Sequence, residues 1–369
     1  MKIKFTVLAL LAIGIFCFTN QILAADPVTN EVLALTAKGK DAFEQKNFDL
    51  ALGCYSKVLQ LDSNNANAYY VRGWIQDWKG NYDDAINDLS KCIYLSTNSF
   101  SLSYMFLSRG CAFFSKNKQE QAIDDLSKAI QLNPKLAEAY GARARAYNFT
   151  KQFSGAIIDC NMSILLNPNF ADTYCERGFA NEQNGDLDKA VADLDKAIQL
   201  APTNDVFYVT RARILANKGD TTRAIADEDK AIGLNQKNVD AFSGRGLLHS
   251  RTGEYGKGIE DCRTAVLLDK NDTIANNNLA WLLTITPDTK LRDGKKALEY
   301  AKRACELSEW KNAYCLGTLA AAYAETENYD EAVKWEKMCI ATGLPEKEMQ
   351  QARKELDLFE NKKPYHAEN

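Results

Sequence analysis

The sequence predicts an all-α chain built as a linear array of helix-turn-helix units. Three observations carry this. An Arg followed sixteen residues later by an Asp occurs six times, as Arg72/Asp88, Arg109/Asp125, Arg143/Asp159, Arg177/Asp193, Arg211/Asp227 and Arg245/Asp261. Apart from one shift of three residues, the pairs recur every 34 residues. Small residues also fall at two fixed places in every period. A constant period of this length marks one supersecondary unit copied along the chain, each copy hiding its apolar face only against its neighbours.

At the N-terminus, Lys2 and Lys4 precede the uncharged, mostly bulky apolar run Phe5–Phe18, and Thr19–Ala25 ends in small residues. This is the layout of a secretory signal. Residues 1–24 are read as a signal peptide cut after Ala24, with cleavage after Ala25 the competing choice. The apolar run is about 14 residues, short of the roughly 20 that span a bilayer, so a membrane anchor is expected only if the segment stays uncleaved. Cys17 lies inside the apolar core behind the bulky Phe16, which rules against a lipoprotein signal.

The array then covers residues 32–346. Units begin near Val32, Ala66, Ser103, Ala137, Ala171, Asp205, Val239, Thr273 and Ala313. Position 8 is Gly39, Gly73, Gly110, Ala144, Gly178, Ala212, Gly246, Ala280 and Ala320. Position 20 is Ala51, Ala85, Ala122, Ala156, Ala190, Ala224, Gly258, Ala297 and Ala332. One small residue in each of two helices lets their backbones approach closely. Lys79-Gly80-Asn81, Asn184-Gly185-Asp186 and Lys218-Gly219-Asp220 supply helix stops, and Pro134, Pro168 and Pro202 close units where a helix cannot continue. Unit three starts three residues late, so Phe100–Leu102 are expected to lengthen the connection before it. Unit eight carries about five extra residues, judged against the period, within Thr286–Gly294. Pro345–Glu360 reads as one more helix with Met349, Ala352, Leu356 and Phe359 on one stripe. A capping helix is therefore assigned to 347–361, and 362–369 is expected to be a flexible tail.

This pattern resembles the tetratricopeptide repeat (TPR) family, of the bacterial secreted or periplasmic type, over Val32–Glu346. The stretch from Asn277 to Trp335 looks like a terminal module of bacterial secreted repeat proteins. The resemblance implies a right-handed superhelical solenoid of about nine repeats with a C-terminal capping helix, its inner face lined mainly by the first helix of each pair. Some members clamp a C-terminal carboxylate through Lys at position 5 and Asn at position 9. Thr36, Tyr70, Leu107 and Gly141 stand at position 5 here, so that clamp is absent.

The Arg of position 7 and the Asp of position 23 are present together in units two to seven and absent together elsewhere. That argues for contact, within a repeat or with the preceding one. Position 7 lies on a packing face, where an Arg without a carboxylate would cost several kcal/mol. The twelve residues are read as structural ion pairs.

Chemistry has little material. The net charge of −4 and the lack of a basic run exclude a nucleic-acid surface. Histidine occurs only at His249 and His366, too sparse for a metal site or a His-based nucleophile. No catalytic residue, metal or cofactor is expected. The cysteines read as core filler, with Cys160/Cys175 and Cys305/Cys315 the only intramolecular bridges to test.

Candidate partner-binding residues sit at positions 2, 5, 9, 12 and 13. They are Phe43, Tyr70, Trp74, Trp78, Tyr104, Phe114, Phe149 and Phe179, with Arg145, Arg213 and Arg251. Exposed rings suit peptide capture because they give contact area at low entropic cost; the alternative is that they pack against neighbouring first helices. The expected role is an exported, non-enzymatic scaffold, periplasmic or secreted, binding a protein or peptide in a concave groove. The alternative is a structural component of an envelope assembly that self-associates.

Overall fold

The computed structural model describes residues 27–367. The segment read as a signal peptide lies outside the described residues. Among the described residues, nineteen helices form and no strand. The chain divides into two compact units, one up to Asp186 and one from Leu187.

In the first unit the helices are α1 (Pro27–Glu44), α2 (Phe48–Leu61), α3 (Ala66–Lys79), α4 (Tyr82–Leu95), α5 (Ser99–Ser115), α6 (Gln119–Leu132), α7 (Ala137–Phe149), α8 (Phe153–Leu166) and α9 (Ala171–Gln183). In the second they are α10 (Leu187–Leu200), α11 (Asp205–Asn217), α12 (Thr221–Leu234), α13 (Val239–Arg251), α14 (Tyr255–Leu268), α15 (Thr273–Ile285), α16 (Gly294–Leu307), α17 (Ala313–Glu325), α18 (Tyr329–Thr342) and α19 (Glu346–Glu360).

Local chemistry explains the boundaries. Asn65, Asn238 and Asp272 each accept a hydrogen bond from the backbone N–H three residues on, at 3.0, 2.9 and 2.7 Å. This satisfies amides that a helix start leaves orphaned. Every hairpin turn except the longer α15–α16 connection places one residue in the left-handed region. Gly80, Gly185, Gly219 and Gly253 occupy it, but so do Lys46, Asn117, Lys151 and Glu327, with φ between 59° and 61°. The turn geometry, not the presence of glycine, is what repeats.

Packing follows the small residues. Ala51, Ala85, Ala122, Ala156, Ala190, Ala224, Ala297 and Ala332 are all fully buried. A very close crossing is that of α13 and α14, where a Cβ on Gly246 would lie 2.8 Å from the Gly258 carbonyl oxygen, and one on Gly258 would lie 2.6 Å from that of Gly246. Leu279, Leu282, Leu316 and Leu319 fill the core of the second unit.

Three sequence expectations need correction. Phe100–Leu102 do not lengthen a connection; they form the first turn of α5, whose start Asn98 caps by accepting from the Phe100 and Ser101 amides. The terminal helix is Glu346–Glu360 rather than 347–361, and Phe359 seals it against Ala320, Ala321, Ala324 and Ala332. The tail is not loose as far as Ala367: Tyr365, His366 and Ala367 all make specific contacts. The extra residues of unit eight form the connection between α15 and α16, which is eight residues long (286–293).

Candidate functional site

The Arg–Asp pairs form the framework on which the first helices are held. Arg72 binds Asp88, Arg109 binds Asp125, Arg143 binds Asp159, Arg211 binds Asp227 and Arg245 binds Asp261. In each pair Nε and Nη2 donate to the two carboxylate oxygens, at 2.6–3.0 Å. Arg177 and Asp193 belong to different units. The arginine is half-buried, as its place on the packing face implies, and the carboxylate is the more deeply buried member. Asp88, Asp125, Asp159, Asp227 and Asp261 are all buried, as is Asp193, whereas Arg72, Arg109, Arg143, Arg211 and Arg245 are only half-buried. The short Asp side chain fits beside the small residue of position 8: a Cβ on Gly73 would lie 3.2 Å from that of Asp88. The longer arginine covers it from outside, its stem on apolar surface and its head near water.

A second rung is not apparent from the repeated pair. Nη1 of Arg109, Arg143, Arg177, Arg211 and Arg245 reaches back to position 25 of the preceding repeat, occupied by Ser90, Ser127, Asn161, Asp195 and Asp229, at 2.6–3.0 Å. Aromatic rings flank the guanidinium, as Tyr140 and Tyr147 do for Arg143 at 6.0 and 5.6 Å. The acceptor changes from Ser to Asn to Asp, and the spacing is sixteen residues in four pairs but nineteen for Arg109 and Ser90, so only the shared repeat position signals this rung.

In the first unit the predicted rings separate into two groups. Phe43 is buried and packs on Phe48 and Trp74, with centroids 5.5 and 5.0 Å away. Trp78 packs on Phe48 with centroids 4.4 Å apart and planes tilted by 47°, yet stays 42% exposed. Tyr70 is half-buried; its hydroxyl pairs with Ser108 at 3.3 Å, and burial pushes the phenol up to about 12. Tyr104 meets Phe100 edge-on at 5.3 Å. Phe179 meets Phe153 at 6.2 Å. Phe114 backs Phe149 at 5.9 Å, leaving Phe149 60% exposed. Phe43, Tyr70 and Trp74 therefore serve mainly in packing, while Trp78 and Phe149 face solvent.

Arg145 is not a free surface cation. Its Nε donates to Glu176 Oε1 at 2.6 Å with both side chains largely covered. Asn148, buried beside it, donates to the Glu176 carbonyl and Oε2 at 2.9 and 3.0 Å. Burial, and then the nearby Glu176, raise the pKa of Asp172, opposed by Arg145. Carboxylates outnumber guanidiniums here, and the sequence held no mark of it because Glu176 lies 31 residues from Arg145.

In the second unit Arg213 is exposed. Arg251 is also exposed and borders an open cleft of about 980 Å³ with Glu254, Tyr255, Lys257, Asp288 and Leu291. Two buried carboxyl groups were not foreseen. Glu336 on α18 is fully buried, and neither of its oxygens has a hydrogen-bond partner among the described residues. Burial, then the neighbouring Glu355, push it up to about 8. Glu228 on α12 is likewise pushed up to about 9, by burial first and then Asp227.

None of the nine cysteines among the described residues forms a disulfide. No group of three or more His, Cys, Asp or Glu side chains among these residues is arranged to hold a metal ion. No helix among them is long and apolar enough to cross a membrane.

Antiparallel helix pairs, stacked with small residues at each crossing, define a helical repeat protein. Tetratricopeptide-repeat family models match residues 36–90, 110–148 and 145–214, so these stretches carry tetratricopeptide repeats. A tetratricopeptide repeat protein from Parabacteroides merdae aligns with a TM-score of 0.56 at 17% identity, over 68% of this chain and 98% of its own. Yeast Tom70 aligns at 0.50 and 16% identity, over 90% and 96%. These likenesses show the fold. In sequence, a TPR repeat-containing protein of Methanocaldococcus jannaschii is 29% identical over 109 residues, covering 30% of this chain and 18% of its own. The photosystem I assembly protein Ycf3 of Cuscuta gronovii is 24% identical over 104 residues, covering 28% and 62%. The chain thus spans less than two thirds of the length of either relative. Proteins of this repeat class generally mediate protein–protein interactions, and the repeat scaffold is typically non-enzymatic.

Proposed function

We propose that the chain is an exported, non-enzymatic scaffold that holds a protein segment against the first-helix face of its repeats. The observation that carries this reading is Phe149: a ring 60% exposed at the end of a first helix, supported from behind by Phe114. A large apolar side chain held rigidly in water is more useful to a partner than to the fold. Trp78, packed on Phe48 and still 42% exposed, is a second anchor of the same kind. The charge beside these rings differs from the sequence expectation. Glu176 neutralises Arg145, and Asp172 and Glu138 remain, so the segment preferred in the first unit combines apolar and basic side chains. Arg213 and Arg251 would select acidic groups in the second unit. Export rests on the composition of residues 1–24.

The test compares wild-type chain with Trp78→Ala/Phe149→Ala in pull-downs from envelope extract, after thermal melts show both are folded. Loss of specific partners supports the reading, and equal recovery sinks it. Mass measurement of the mature chain should show a new N-terminus at Ala25; a chain that keeps residues 1–24 in the soluble fraction contradicts export. A discrete homo-oligomer by light scattering would favour the self-associating assembly instead.

A further inference from the structure

Beyond Glu360 the chain turns back onto its own repeats. Tyr365 lays its ring on Trp281, with centroids 5.9 Å apart and planes 24° from parallel. His366 meets Glu325 and Arg292, its Nε2 2.6 Å from Glu325 Oε2, while Arg292 Nη1 lies against the imidazole edge, in contact with Nε2 and 2.8 Å from Nδ1. The Ala367 amide donates to the Ile285 carbonyl at 2.9 Å. That carbonyl belongs to the last turn of α15 and has no acceptor role within its own helix. Three successive residues of a non-helical segment therefore meet three different features: an indole face, a carboxylate beside a guanidinium, and a backbone carbonyl.

We propose that Trp281, Ile285, Arg292 and Glu325 form a peptide-binding site whose resident occupant is the chain's own segment Pro364–Ala367. The site selects an aromatic residue followed by a histidine in a non-helical segment. Two observations separate this from ordinary end-packing. Phe359 on α19 is the fully buried plug of the terminal core against Ala320, Ala324 and Ala332, whereas Tyr365 lies only partly buried at the rim of that cluster. The Ile285 carbonyl and the Glu325 side chain also stand at position 13 of repeats eight and nine, the place where Trp78 and Phe149 are exposed in other repeats. The connection from α19 to Pro364 is only residues 361–363. Such a short tether gives a local concentration on the order of mM, so contacts too weak to hold a free peptide tightly still keep the segment in place. This site is separate from the Phe149 face and stands whether or not that face binds a partner.

The experiment uses a fluorophore-labelled synthetic peptide, Pro364–Asn369, and two forms of the chain with the tail released. One ends at Lys363; the other is full-length Tyr365→Ala/His366→Ala, which keeps every residue of the site should the shortened chain fail to fold. The peptide should bind the released forms at least tenfold more tightly than the wild-type chain, whose own tail competes. A peptide carrying the Tyr365→Ala change should lose that binding. Equal binding to wild-type and released chains, no binding to a folded released chain, or undiminished binding of the altered peptide would each overturn the assignment.

Discussion

Arg143 grips Asp159 with two hydrogen bonds, 2.7 Å from Nε and 2.9 Å from Nη2, and turns Nη1 to Ser127 of the preceding repeat, 3.0 Å away. One guanidinium thus ties its own hairpin together and staples it to the neighbour. In a repeat array, stability is the sum of hairpin terms and interface terms, and this residue contributes to both. Hydrogen bonding to Asp159 raises the Arg143 pKa, so the charge is permanent. Removing the carboxylate leaves that charge half-buried. Asp159→Ala should lower stability by about 3–5 kcal/mol, the usual result of breaking a buried pair from one side. The exposed control Asp49→Ala, which breaks only a surface contact with Lys79, should change stability by less than about 1 kcal/mol. Urea melts that coincide for the two variants would show that the pair is not a stabilising tie.

The sequence exposes whatever obeys fixed arithmetic. The sixteen-residue Arg–Asp spacing and the small residues at positions 8 and 20 identify hairpins, order and crossing points, because close backbone approach tolerates few side chains. The spacing alone does not say which partner lies deeper; side-chain length decides that, and Asp88, Asp125 and Asp261 sit inside while their arginines reach in from the edge. Position 25 stayed hidden because Ser127, Asn161 and Asp195 all accept from an arginine equally well. Arg145 looked like a free cation because its partner, Glu176, sits on the next first helix at no repeated spacing. Lys362–Ala367 looked like a tail because its composition is polar. What holds it is contact with residues more than 40 positions away, which no local pattern encodes.

Gly246 and Gly258 test the close crossing directly. A Cβ on Gly246 would also fall 2.6 Å from Cys262 Sγ, and the Gly258 carbonyl opposite is backbone that cannot rotate aside. Gly246→Ala should destabilise the chain by about 1–3 kcal/mol, the range for overpacking. Gly233 on α12 has open space where its Cβ would be. Gly233→Ala should therefore be neutral or stabilising by up to about 1 kcal/mol, from helix propensity alone. Matching denaturation midpoints for these two variants would refute the tight crossing.

The thiols should be inert while the chain is folded. Burial pushes Cys92, Cys262, Cys305 and Cys339 up to about 12, so the reactive thiolate is scarce at neutral pH. Their access to reagent is also blocked. An aromatic disulfide reagent at pH 8 should react slowly with these positions in native chain and rapidly once urea unfolds it. Complete reaction within minutes under native conditions would contradict the burial.

Glu336 makes the end of the array sensitive to pH in a direction opposite to ordinary acid denaturation. Burial, then the approach of Glu355, move its pKa from 4.5 to about 8 in the folded chain. Glu355, which accepts from Gln351 at 2.9 Å, is itself raised to about 7 by burial. Between pH 4.5 and those values the folded chain keeps protons that the unfolded chain has released. Stability must then fall as pH rises through that window, by at most about 1.4 kcal/mol per pH unit for each carboxyl. Glu336→Gln supplies the same shape without a titrating proton. It should match wild type near pH 5 and melt at a higher temperature near pH 8.5, so the gap between the two widens with pH. A gap that stays constant from pH 5 to 8.5 would mean that the carboxyl is ionised and hydrated in the folded chain, contrary to a side chain with no exposed surface.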